Sequence, residues 1–255
     1  MKTVTAKVEA RRLHPKRIDS SRHLETGVCP STTAFNKLKS IAPELTHGQI
    51  VTLFHHFYYT NLGNYTNNWF GTPLQKCPFD LWAFQEIIYE TRPDVIIETG
   101  TALGGSARFL AGICRLLGKG RVISIDVVKH KERAEPEENL TFVVGSSIDR
   151  RTFAKVQRRL HRYEQVMVIL DSYHRKDHVL KELALYAPLV TPNCYLVVED
   201  TNIDNRPLEA DPNFPGPGQA LDEWLPSHPE FQVDYLSEKN YITFNPGGFL
   251  RRIYR

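Results

Sequence analysis

Val166-Met167-Val168-Ile169-Leu170-Asp171-Ser172-Tyr173-His174 and Tyr195-Leu196-Val197-Val198-Glu199-Asp200 are built alike, each an apolar run followed at once by acid. Short, continuous apolar runs bounded by turn residues read as strands buried on both faces, the pattern of a parallel sheet. In such a sheet ligands gather outside the carboxyl ends of the strands. Asp171, Glu199 and Asp200 are therefore expected at one edge. Converging carboxylates repel one another unless something positive stands between them. A hard divalent cation meets that need, because it takes oxygen ligands and keeps positions open.

Working outward, Val95–Glu98 reads as a strand that runs into Thr99-Gly100-Thr101-Ala102-Leu103-Gly104-Gly105-Ser106 and a helix over Gly105–Leu117, closed by Gly118. Arg121–Ile125 is a strand ending in Asp126, and Thr141–Val144 a strand ending in Gly145-Ser146-Ser147. Helices follow over Asp149–His161, with Asp149 as N-cap, and over Asp177–Tyr186, stopped by Pro188. Cys194–Val198 is the next strand; Gln232–Leu236 and Tyr241–Phe244 read as a terminal strand pair. Asn205–Gly218 holds Pro207, Pro212, Pro215 and Pro217 and is expected as an irregular, lid-type loop before a helix over Ala220–Leu225. The alternation predicts an α/β fold, a doubly wound, mostly parallel seven-stranded sheet of Rossmann-like type.

Upstream the pattern changes. Residues 1 to about 45 are polar and irregular, and Arg11, Arg12, Lys16 and Arg17 read as a solvated basic arm. Gly48–Tyr59 and Phe79–Glu90 have helical spacing, with Asn61–Gly71 between them as a loop. The expected division is residues 1–91 as an N-terminal arm and helical cap, and 92–255 as the main domain.

Composition narrows the function. At 41% hydrophobic and 24% charged, the 255 residues are ordinary globular material. A net charge of +3 argues for neither nucleic acid nor a membrane surface. None of the four cysteines stands in a CxxC pair, which speaks against zinc; Cys114 and Cys194 read as small core residues. No signal-type segment and no run near the roughly 20 apolar residues of a membrane span is seen, so a cytoplasmic protein is expected. His55-His56 is read as structural, since adjacent helical residues point in different directions.

Gly100, Gly104 and Gly105 do not have the G-x-G-x-x-G spacing, which disfavours a pyrophosphate cofactor and with it a nicotinamide oxidoreductase. S-adenosylmethionine has no phosphate. It asks for a looser glycine turn, an acid near its amino group and an acid on its ribose. Glu98 and Asp126 suit those two places. A glycine-rich turn with no ligand is the alternative.

Here the chain resembles the class I methyltransferases, and within them the cephalosporin hydroxylase and rhamnosyl O-methyltransferase family. The resemblance is carried by Trp69–Trp82, Ile97–Ala107, Leu170–His174, Val198–Thr201 and Tyr241–Leu250, and runs from about His47 to the C-terminus. It implies cofactor contacts at Glu98, Gly100, Thr101, Ser106, Asp126, Asp171 and the Gly145-Ser146-Ser147 turn beside adenine. It also implies a Mg²⁺ site at Asp171, Glu199 and Asp200. Catechol-type enzymes carry a lysine three residues after the first metal acid; His174 stands there in this chain. That favours an aliphatic hydroxyl as acceptor, with His174 and Asp171 as catalytic residues and His174 as general base. Gln75 and Lys76 are further candidates to reach the site; Tyr65, Trp69 and Phe70 either roof it or pack structurally.

The expected function is a Mg²⁺-dependent O-methyltransferase acting on a sugar or other vicinal-diol-like acceptor, a small molecule, in an enzyme with room for homo-oligomer contacts. A hydroxylase component, or a non-catalytic cofactor-binding accessory protein to a hydroxylase, is the alternative. An iron oxygenase would ask for two histidines and a carboxylate, and His23-Leu24-Glu25 lies in the irregular arm.

Overall fold

A computed structural model of the chain describes residues 45–59, 67–128, 138–204, 207–209 and 211–253. Residues from His47 onward form one compact unit. In chain order its elements are α1 (His47–Phe57), β1 (Asn67–Trp69), β2 (Thr72–Leu74), α2 (Pro78–Thr91), β3 (Val95–Thr99), α3 (Gly105–Leu116), β4 (Arg121–Asp126) and β5 (Leu140–Val144). There follow α4 (Arg150–Gln157), β6 (Val166–Leu170), α5 (Lys176–Tyr186), β7 (Tyr195–Val198), α6 (Pro217–Trp224), β8 (Phe231–Val233) and β9 (Phe249–Arg252).

The sheet has seven strands in the order β5-β4-β3-β6-β7-β9-β8. The first five are parallel, β9 runs antiparallel to β7, and β8 runs antiparallel to β9. Every residue of β3, β6 and β7 is buried, which is why these segments carry no polar alternation. From β3 the chain winds outward in one direction through β4 and β5, then returns to lay β6 and β7 on the other side. The switch point therefore falls between β3 and β6, where such sheets open a crevice at their carboxyl edge. The register keeps the ends level: Thr99 pairs with Leu170, and Leu170 with Val198.

Helix α3 buries Ala107, Leu110, Ala111 and Cys114, the stripe its spacing predicts. Asp149 caps α4 by accepting from Thr152 N, as expected. That helix is shorter than its sequence pattern, because Arg159 N and Leu160 N turn back to Val156 O and Gln157 O in tighter three-residue bonds. Among the described residues no helix is long and apolar enough to cross a membrane.

Three readings of the sequence need correction. The stretch expected as a loop, Asn61–Gly71, contains strand β1, which forms a hairpin with β2 just beyond it, Asn67 facing Leu74 and Trp69 facing Thr72. Helix α6 starts at Pro217, inside the expected loop, because proline suits the first turn where no N–H is needed. The terminal strand pair is β8 with β9, not with Tyr241–Phe244. The alternation of Tyr241–Phe244 is not a strand's. Tyr241 has φ +63°, and Phe244 N is taken by the buried carboxylate of Asp80 at 2.9 Å.

Candidate active site

The carboxyl edges of β6 and β7 bring the expected acids together. Asp171 N donates to Thr99 O and Glu199 N to Leu170 O, both at 3.0 Å, so each acid begins as a continuation of the sheet. Lys76, which follows β2, reaches between them. Its Nζ donates to Asp171 Oδ2 and, at 2.7 Å, to Glu199 Oε2. The lysine is 3% exposed and Glu199 4%. Burial works against the ammonium, but Asp171, Glu199 and Glu98 outweigh it and hold its proton on. Burial in turn pushes Asp171 up and Glu199 well up, with Lys76 pulling both back.

Asp200 departs from the sheet. It takes a left-handed backbone, φ 56° and ψ 30°, and its Oδ2 lies 3.2 Å from His174 Nε2. The same nitrogen is 3.9 Å from Asp171 Oδ1. Asp171, His174 and Asp200 thus offer ligand-type atoms all within 4.8 Å of one another, each residue half-buried. Two carboxylates and an imidazole form a donor set that suits a divalent cation. Glu199 stands apart from that group, with Lys76 on its Oε2; its Oε1 is buried and has no hydrogen-bond partner among the described residues.

Across the switch point lies the glycine loop. Gly100 has φ +87°, and a Cβ there would stand 1.7 Å from Asp171 O. At Gly105 a Cβ would meet Pro73 O at 2.1 Å. These two glycines answer to neighbouring backbone of the chain itself. The loop is pinned by Asp126, whose Oδ2 accepts from Ala102 N at 2.8 Å and Oδ1 from Val128 N at 3.0 Å. Beneath it runs a buried chain: Thr101 Oγ1 to Ser124 Oγ, 2.6 Å, and Ser124 Oγ to Glu98 Oε2, 2.6 Å. Ser106 also bonds Glu98, whose Oε1 has no partner among the described residues. Gln75, Lys76, Gly100, Thr101, Ser106 and Asp171 line one cleft, so the loop and the acid edge share a wall.

One strand further out, Gly145 N donates to Asp126 O. A Cβ on Gly145 would stand 2.1 Å from Thr152 Oγ1. Ser146 is half-buried beside it. Ser147 is buried, accepts at its carbonyl from Tyr186 Oη and pairs its Oγ with His178 Nε2 at 3.1 Å. The structure thus brings Asp171, His174 and Asp200 into one group. It sets Gly100, Thr101 and Ser106 on the adjoining cleft, Glu98 behind them, and Asp126 and the Gly145-Ser146-Ser147 turn on the neighbouring strand ends.

Lys76 was legible only as a residue that could reach the site, not as the ammonium between two acids. Ser124 escaped notice, although a lone hydroxyl inside the apolar run Val122–Ile125 was a usable signal. His55 is structural, as expected. It is fully buried, takes a hydrogen bond from Asn202 Nδ2 and is pushed down to about 4, first by burial and then by His56. Trp69 packs edge-on against Phe109 and covers Gly112, Phe70 is exposed, and Tyr65 lies outside the described residues.

The chain is similar to known proteins. A family model described as rhamnosyl O-methyltransferase/CmcI matches residues 61–253. The rhamnosyl O-methyltransferase of Mycobacterium tuberculosis (strain ATCC 25618 / H37Rv) is 37% identical over 207 residues, 78% of this chain and 83% of that protein. That of Mycobacterium leprae (strain TN) is 33% identical over 231 residues, 88% of this chain and 96% of its own. Among solved structures, an apo structure of CmcI superposes with a TM-score of 0.57 at 23% identity, covering 74% of this chain and 77% of that one. A CmcI structure with Mg and SAM gives the same TM-score and coverage at 22% identity. At those identities the two structures speak for the Rossmann-like fold.

Proposed function

The chain belongs to the rhamnosyl O-methyltransferase/CmcI family and is an O-methyltransferase; on that premise we propose that it moves the methyl group of S-adenosylmethionine to a hydroxyl of a rhamnosyl or closely similar sugar, with Mg²⁺ as a required ion. The observation that carries the reading is the placement of the Asp171, His174 and Asp200 donor atoms within 4.8 Å of one another, with Asp171 also lining the glycine-loop cleft. The charge balance supports it. Glu98, Asp171 and Glu199 crowd about the Lys76 ammonium while Asp171 and Asp200 approach His174, and a divalent ion with a sulfonium would add positive charge where acids are gathered. Three buried free thiols, Cys77, Cys114 and Cys194, suit a reducing cytoplasm.

In this reading Asp171 and Asp200 hold the ion, with Glu199 Oε1 available to it. When bound, the ion supplies Lewis acidity that makes an alcohol hydroxyl a stronger acid. Thr101, Ser106 and the pinned loop seat the methyl donor, and Asp126 faces its ribose. The acceptor oxygen attacks the methyl carbon in line, the carbon–sulfur bond breaks, and S-adenosylhomocysteine leaves with the bonding pair on sulfur. His174 Nε2 takes the hydroxyl proton. The Asp200 carboxylate, 3.2 Å away, stabilises the imidazolium that results.

The test is incubation of the purified protein with S-adenosylmethionine, Mg²⁺ and a set of rhamnosides, with mass spectrometry for a gain of one methyl. Loss of turnover in chelator and its return with Mg²⁺ is the expected result; full turnover in chelator rejects the ion. A second reading of His174, as a ligand, is favoured by its place in the donor group. His174→Ala separates the two. A base predicts a kcat lowered about 10²–10⁴-fold with ion affinity kept, whereas a ligand predicts lost ion affinity.

A further inference from the structure

We infer that Asn245 is a positioning residue for Asp200, holding that acid's backbone in the one conformation that aims its carboxylate at His174 and Asp171. The inference rests on the reading of Asp200 as part of a cation site. Asp200 is not glycine, yet it sits at φ 56°, the left-handed region that few non-glycine residues adopt, although aspartate enters it more readily than most.

The surroundings here are one turn, Asn245-Pro246-Gly247-Gly248, applied to both sides of Asp200. Asn245 is fully buried, and its Oδ1 accepts from Asp200 N at 2.9 Å. On the far side Thr201 Oγ1 donates to Pro246 O at 2.9 Å. On the near side Val198 N donates to Gly248 O at 2.9 Å, and a Cβ on Gly248 would stand 2.2 Å from Val198 O. The turn is itself stiffened. Asn245 N donates to Thr243 Oγ1, and Gly248 N to Asn245 O. The donor at Asp200 N requires that the amide oxygen, not the nitrogen, face it. Asn245 Nδ2 then has no hydrogen-bond partner among the described residues. The oxygen end of the amide is thus committed to Asp200 N, a demand that the reversed amide could not meet.

The geometry explains why the demand exists. Were Asp200 to relax into the extended backbone of β7, its Cα–Cβ bond would swing and the carboxylate would leave His174. The oxygen of Asn245 replaces the sheet partner that Asp200 N gives up on turning out.

Calorimetry of Mn²⁺ or Mg²⁺ binding to Asn245→Ala, beside S-adenosylhomocysteine binding in chelator, tests this. A supporting group of this kind is expected to cost about 10–100-fold in ion affinity, with the nucleoside product bound within about twofold of wild type. Thr201→Val loosens the same turn more gently; it should weaken the ion in the same direction by a smaller factor and decides the matter if Asn245→Ala does not fold. Unchanged ion affinity in the folded variants overturns the inference. So does an equal loss of nucleoside affinity, which would mean general loosening. A wild type that binds no ion overturns it too, at the level of the site and not of the turn.

Discussion

The glycine loop after β3 and the acid edge of β6 and β7 meet on one cleft, but they are held by opposite means. The loop is set by exclusion: at Gly100 and Gly105 neighbouring backbone leaves no room for a single carbon. The edge is set by charge, with Lys76 drawing Asp171 and Glu199 onto one ammonium. A sterically set element tolerates no added atom and is indifferent to ions. A charge-set element tolerates no lost charge, and its stability moves with ions and pH.

The largest effect is expected where the charges are broken. Lys76→Met leaves two buried carboxylates facing each other, and removing one partner from such a group costs about 3–5 kcal/mol. Urea unfolding in chelator should show that loss, and Mg²⁺ should return part of it. Wild-type stability in the variant would break the comparison on the electrostatic side. Gly100→Ala combines a left-handed backbone with a clash against Asp171 O, and should cost about 2–4 kcal/mol. Here Mg²⁺ should return nothing. If it does, loop and edge are not independent.

A smaller effect sharpens the contrast behind the acid edge, where Asp80 and His55 both pack on the Phe244 segment. Burial raises Asp80 from 3.8 to about 7, against hydrogen bonds from Thr243 and Phe244. A raised acid favours folding fully below pH 3.8, and that contribution is lost as pH rises toward 7. Burial, then His56, lowers His55 from 6.5 to about 4. That contribution is present above pH 6.5 and is lost as pH falls toward 4. The two slopes oppose each other and partly cancel, on top of the slope that the raised acids Glu98, Asp171 and Glu199 add, so each is read as a difference from wild type. Asp80→Asn should expose a loss of stability toward acid, and His55→Gln a loss toward base, each on the order of 1–3 kcal/mol. Parallel slopes in the two variants would reject the pairing.

How much of this was legible depends on the range of the interaction. The strands ending at Leu170 and Val198 and the helix cap at Asp149 are local patterns, and the structure has them where the pattern puts them. The last strand pair was misread for the complementary reason. Tyr241-Ile242-Thr243-Phe244 alternates like a strand, but Phe244 N is claimed by Asp80, 164 residues away, and β8 finds β9 instead. Lys76 is 95 residues from Asp171 and 123 from Glu199, and nothing near it in sequence says that it will be buried between them.

The sequence by itself determined the parallel sheet, its glycine loop and the arrival of acids at one edge, because burial on both faces and backbone conformation are written into short runs of residues. Only the tertiary structure decided which charges meet there. It placed Lys76 between Asp171 and Glu199, turned Asp200 toward His174, and backed that turn with Asn245. Those contacts join segments far apart in the chain, and their strength comes from being out of water, a condition that exists only once the whole sheet has closed over them.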